Sequence, residues 1–306
     1  LQLASNMMLI GGCVFLAIAE PKSLESGYSW LARLKKTFPW LAILLLIGLV
    51  GLLATTTAQA TGSPENAWSP QAWVDFLHKT RIGFIWALRA ASALAVLVIV
   101  LYIRISPAAQ WRCVIGAAAA ALTLAFGSLA SHSAAEEHAV LATVTYALHL
   151  IAASVWFGGL PGVILVASTT TGSTDERSRI GDVLARFSGL ALATMIVVVI
   201  SGIVVANRMF ETNYAGLVAT TYGWLLIAKL TLLAVILSIA SRAKSLWIPP
   251  IRQRSEQAAV SGQKLRTWVT VEFGLAILLV IVATLLANAV PAKHEVIENW
   301  PYPFRF

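Results

Sequence analysis

The sequence predicts an all-α, polytopic membrane protein, a bundle of about eight transmembrane helices with both termini extracytoplasmic. Three observations carry that prediction. Hydrophobic residues make up 58% of the chain and charged residues only 12%, against roughly 25% charged in an ordinary soluble domain. The mean hydropathy is +0.78. The apolar residues also fall in long continuous runs, as a helical span of about 20 residues requires, whereas barrel strands are about 10 residues long and alternate in character.

Eight runs meet that length closely enough: about 1–19, 39–58, 82–104, 112–130, 139–168, 186–207, 222–240 and 268–290. They read as one integral membrane domain over residues 1–306. The first is expected to be a retained span, because no basic segment precedes it and no small-residue cleavage site stands near Glu20 and Pro21. After the second, Ser69 is placed to cap a short helix with Pro70 at its first position. Trp68, Trp73, Phe76 and Leu77 suit the headgroup interface, as do Trp300, Tyr302 and Phe304 in the tail. A lid over an outer site is the alternative for both segments. The linkers at about 168–185 and 241–267, rich in Ser, Thr, Gly, Arg and Gln, read as solvated connections.

Basic residues near span ends stay on the cytoplasmic side. Most of the 22 lysines and arginines cluster in alternate linkers: Lys22, Arg33, Lys35 and Lys36; Arg104 and Arg112; Arg177, Arg179 and Arg186; and Arg242 through Arg266. Those linkers are assigned to the cytoplasm. The net charge of +8 therefore reflects topology and contact with the lipid bilayer. No recognisable DNA- or RNA-binding module accompanies it, and nucleic acid is excluded as a partner.

Polar residues inside this apolar background carry the functional signal, because each needs a partner there. His132, Glu136, Glu137 and His138 cross a short polar break, and His149 then sits in an otherwise apolar helix. At about 1.5 Å rise per residue, His149 lies roughly 16 Å inward of His138. Met7 and Met8 fall in the outer half of the first span, and Met209 ends the sixth. Imidazole suits several transition metals while thioether favours Cu(I), so this donor set points to copper. His132 and His149 are the leading ligands; Met7, Met8 and Met209 are further candidates. Glu136, Glu137 and His138 form an outer cation-attracting site. A membrane histidine can also simply hydrogen-bond a neighbouring backbone group, and each methionine can be core packing.

Other buried groups have two readings as well. Cys13 and Cys113 suit neither a periplasmic disulfide nor a CxxC pair, leaving apolar filler or a thiolate step on a soft-metal path. Trp156 with Gly158 and Gly159 permits close helix packing or a polarizable ring face beside Cu(I). Arg89, Lys229 and Glu272 lie within spans, and Lys229 with Glu272 can form an interhelical lock or a relay.

Taken in order, Ser131-His132, the run Ala147-Leu148-His149-Leu150 through Trp156-Phe157-Gly158-Gly159-Leu160, Arg186-Phe187-Ser188, Ser201-Gly202-Ile203, Tyr222-Gly223-Trp224, Lys229 and Glu272 resemble the copper resistance D (CopD) family of bacterial inner-membrane proteins. The resemblance is strongest over residues 112–290. It implies an eight-span copper-handling protein of the inner membrane, thought to move copper inward beside a separate periplasmic CopC-like copper-binding protein. His132 and His149 are the positions that match the family's histidines. The absence of a methionine-rich periplasmic loop argues against high-capacity storage.

There is no GxxxxGK[ST] phosphate loop, so the expectation is a transporter rather than an enzyme. Two other classes remain open. Paired histidines in a bundle core can ligate a b-type haem in a redox subunit, and the outer segments can serve a non-catalytic docking subunit.

Overall fold

The computed structural model describes residues 1–19, 29–105, 110–129, 139–169, 174–211, 214–253, 255 and 257–294, and the regular structure among them is helical. In chain order the α-helices are α1 (Gln2–Ile18), α2 (Ser29–Thr61), α3 (Pro70–Lys79), α4 (Arg81–Ile105), α5 (Gln110–Leu129), α6 (Ala139–Ala167), α7 (Thr174–Phe210), α8 (Gly216–Ala219), α9 (Thr221–Arg242), α10 (Ile248–Arg252) and α11 (Ala258–Asn288). Seven of the long helices are apolar and extended enough to cross a membrane. The first expected span, α1, is a shorter apolar helix of 17 residues, about 26 Å long at the usual rise.

Several helices run beyond their apolar windows. Helix α2 starts ten residues before the run at 39–58 and carries Pro39 inside it. Helices α7 and α11 begin at Thr174 and Ala258, and α10 follows a π-helical turn at Ala243–Trp247. The segments expected as solvated connections at 168–185 and 241–267 are thus largely helical. Their apolar residues explain why: Ile180, Val183, Leu184, Ile248, Ile251, Ala258 and Leu265 are all buried, so an amphipathic stripe continues past each span.

The described residues divide into two compact units. The first comprises Leu1–Leu165 with Arg186–Val198. Helix α1 packs in it with Leu9, Ile10, Cys13, Phe15 and Leu16 buried. At one end of α1 the Gln110 side chain donates to the Ala19 carbonyl at 2.7 Å, and Phe15 meets the Trp30 and Phe187 rings edge-on. Helix α2 ends at Gly62, whose φ of +66° is accessible to glycine without a Cβ clash; Ser63 N–H closes the turn onto the Ala58 carbonyl. The Ser69 hydroxyl accepts from Ala72 N–H, with Pro70 opening α3, as the sequence indicates. Phe76 is buried beneath that helix, while Trp68 is exposed and stands 6.0 Å from the Trp73 ring.

The second unit comprises Val166–Ala185 with Val199–Phe306. Near one end Phe210, Tyr222, Leu286 and Ala292 form a buried cluster, and Lys293 pairs with Glu211 at 3.0 Å. Thr220 caps α9 by accepting from Gly223 N–H at 3.0 Å. Near the other end Gly181 lies against the Arg252 backbone, and Arg252 Nε donates to Asp182 at 2.8 Å.

Candidate metal path in the first unit

His149 stands on α6, half-buried, and its Nδ1 donates to the Val198 carbonyl on α7 at 3.0 Å. The carbonyl has a second lone pair beyond its helical bond, so it can serve both. A carbonyl can only accept, so Nδ1 carries a proton in this bond; in the neutral ring that is the tautomer with its lone pair on Nε2. Metal-binding histidines are commonly oriented in this way. The same bond also satisfies a histidine that does nothing but hold two helices together.

The depth of His149 follows from helix register. Gly11 meets Gly158 backbone to backbone, and one turn further on Phe15 lies against Gly162. Both contacts have the same offset along parallel α1 and α6, which sets Gln2 level with His149. The Gln2 backbone in turn abuts Gly48 of α2. Antiparallel α5 has an equally consistent register, Gln110 at Ala19 and Gly116 at Cys13, which places Gly127 at the same level. Arg89 of α4 lies against that glycine with its guanidinium 5.2 Å from the Trp86 ring centre. His149, ten residues into α6, therefore lies level with Gln2, Gly48 and Gly127.

Met7 and Met8 lie against Gly158, one to two turns deeper than His149, and Met7 is buried. The contacts with Gly158 are made by their backbones, and at that level the two methionines are not beside His149. Asn6, one residue earlier, is fully buried with neither amide atom hydrogen-bonded, a polar group that the sequence reading passed over among its apolar neighbours. Trp156 is buried too, and Gly159 accommodates the Phe187 ring, so this part of α6 is closely packed.

Met209, in the second unit, packs against the Phe210, Tyr222 and Leu286 cluster, the environment of a gap-filling methionine. His132, Glu136, Glu137 and His138 lie outside the described residues. Among the described residues, no group of three or more His, Cys, Asp or Glu side chains converges on a metal-sized site. Glu272 of α11 is buried within the second unit.

Comparison with known proteins gives a consistent picture along the chain. Residues 1–143 match the family description "Copper resistance protein D-like, N-terminal domain", and residues 181–286 match "Copper resistance protein D". Inner membrane protein YebZ of Escherichia coli (strain K12) is 27% identical over 95% of this chain and 96% of its own length. Copper transport protein CutJ of Bacillus subtilis (strain 168) is 30% identical over 62% of this chain, which corresponds to 35% of CutJ. No solved structure matches.

Proposed function

The chain belongs to the copper resistance D family, and from that premise we propose that it carries copper across the bacterial inner membrane through a histidine-based site within the helices. The observation that carries this reading is the His149 bond to the Val198 carbonyl, which orients the ring and, when the ring is neutral, makes Nε2 the nitrogen with the lone pair. Supporting it are the matches to a copper transport protein and an inner membrane protein. His132, His138, Glu136 and Glu137 collect the ion at the outer face, and a separate periplasmic protein of the CopC type hands it over. Met7 and Met8 extend the path inward with soft sulfur donors.

Copper here is cargo. Its site must bind firmly enough to strip water from the ion and weakly enough to release it. A neutral imidazole followed by a thioether suits that requirement, because neither ligand adds a negative charge that would trap the cation.

The test is copper uptake into liposomes containing the full chain, with bound copper measured alongside. His149→Ala is expected to lower uptake at least tenfold while retaining the helical circular dichroism and elution volume of the wild type. Wild-type uptake in that variant would overturn the assignment.

A further inference from the structure

We propose that Cys13 and Cys113 form a second, thiolate-based site for Cu(I) at the end of the first unit that the basic residues assign to the cytoplasm. The inference deepens the copper reading and rests on it. Both cysteines are free and fully shielded from solvent. Cys13 lies five residues before the end of α1, and Cys113 three residues after the start of α5. Those helix ends are pinned together by the Gln110 bond to the Ala19 carbonyl.

Geometry brings the two thiols to one place. The Cys13 Sγ stands 3.2 Å from the point that a Cβ on Gly116 would occupy. Cys113 is one turn away from Gly116 on the same helix, and residues so spaced share a face with Cβ atoms about 5–6 Å apart. Gly116 thus leaves room for the Cys13 sulfur on the face that carries Cys113. The two sulfurs lie within electrostatic range of each other. Ile103 lines the same space from α4, so its walls are apolar and the sulfurs are its soft donors.

Charge decides which ligand fits. Binding follows Cu⁺ + 2 RSH → [Cu(SR)₂]⁻ + 2 H⁺, leaving one negative charge in a buried space. Lys35 and Arg112 are the cations that act on the Cys113 sulfur, and Arg112 is held over the Tyr102 and Trp111 rings at 4.7 and 5.3 Å. Beside these two cations the Cu(I) dithiolate leaves a net charge of about +1 and a divalent dithiolate about +2, so the monovalent ion leaves the smaller buried charge. Soft thiolates likewise select Cu(I). Following the imidazole and thioether donors above it, the dithiol supplies a stronger, anionic terminus for an ion moving inward.

The experiment titrates Cu(I) into the purified full chain under reducing conditions against a chromogenic Cu(I) chelator, with sulfur scattering read by X-ray absorption. Wild type, Cys13→Ser, Cys113→Ser, Cys113→Ala and His149→Ala are compared. The proposal expects Cu–S scattering in the wild type and in His149→Ala, and loss of about one copper per chain with that scattering in each cysteine variant. Copper bound without sulfur scattering in the wild type overturns the dithiol site and leaves the imidazole site standing. Wild-type protein that binds no copper at all overturns both. Cu–S scattering that persists in a folded Cys13→Ser or Cys113→Ala protein belongs to the Met7 and Met8 thioethers and overturns the dithiol site.

Discussion

Gly11 of α1 and Gly158 of α6 touch through their backbones, and the Met7 carbonyl fills the space that a side chain on Gly158 would need. The contact sets the register that puts Gln2 level with His149. It also makes Gly158 a packing position with a functional consequence. Gly158→Ala forces backbone against backbone, where no flexible side-chain end can yield, and overpacking of this kind costs about 1–3 kcal/mol. The expected outcome is a lowered thermal midpoint together with weaker copper binding, measured on the same preparation. A wild-type midpoint would show that α1 is not seated against α6 in this register.

The close packing of Gly158 and Gly159 was legible in the sequence, since paired small residues within a span have few other uses. So were the long helices, because the bilayer imposes runs of apolar residues, and the Ser69 cap, because Ser-Pro at a helix start has a local cause. The helix extensions at Ser29, Thr174 and Ala258 were not legible from hydropathy. Their stripes of Ile180, Val183 and Leu184, or of Ala258 and Leu265, are diluted by charged residues and make sense only against a partner element. The partner of His149 was equally hidden. It is a main-chain carbonyl on another helix, 49 residues away, and every residue type has one. The outer cluster of His132, Glu136, Glu137 and His138 was prominent in sequence but lies outside the described residues, and it enters here as a proposal.

At the other end of the second unit, packing and charge meet at adjacent residues. Asp182 and Arg252 form a 2.8 Å ion pair with both side chains well exposed, and exposed pairs contribute less than about 1 kcal/mol. Gly181 abuts the Arg252 backbone, with its Cα 2.6 Å from where a Cβ would sit. Gly181→Ala is therefore expected to destabilise more than Asp182→Asn. The difference persists at high salt, because screening weakens only the ion pair. Denaturation of both variants at low and high ionic strength checks this ranking, and the reverse order would show that the pair outweighs the helix contact.

Asn6 presents the opposite balance. Its side chain is fully buried and neither amide atom has a hydrogen-bond partner, a condition that costs about 1–3 kcal/mol for an unsatisfied polar group. Nothing in the packing of α1 requires it, since Leu9, Ile10 and Leu16 fill the same helix with apolar side chains. Asn6→Leu removes the unsatisfied amide with a side chain of similar length, so the thermal midpoint is expected to rise. Asn6→Ala, which also removes the amide but leaves a cavity, is expected to gain less or to lose stability. The pair separates relief of the polar group from filling of space, and a lower midpoint for Asn6→Leu than for the wild type would mean that the amide is satisfied in the membrane after all. Because Asn6 immediately precedes Met7 of the proposed copper path, copper uptake measured on the stabilised Asn6→Leu protein then tests what the polar group does there. Reduced uptake in the more stable variant assigns the amide to the ion's path, whereas unchanged uptake confines its effect to folding.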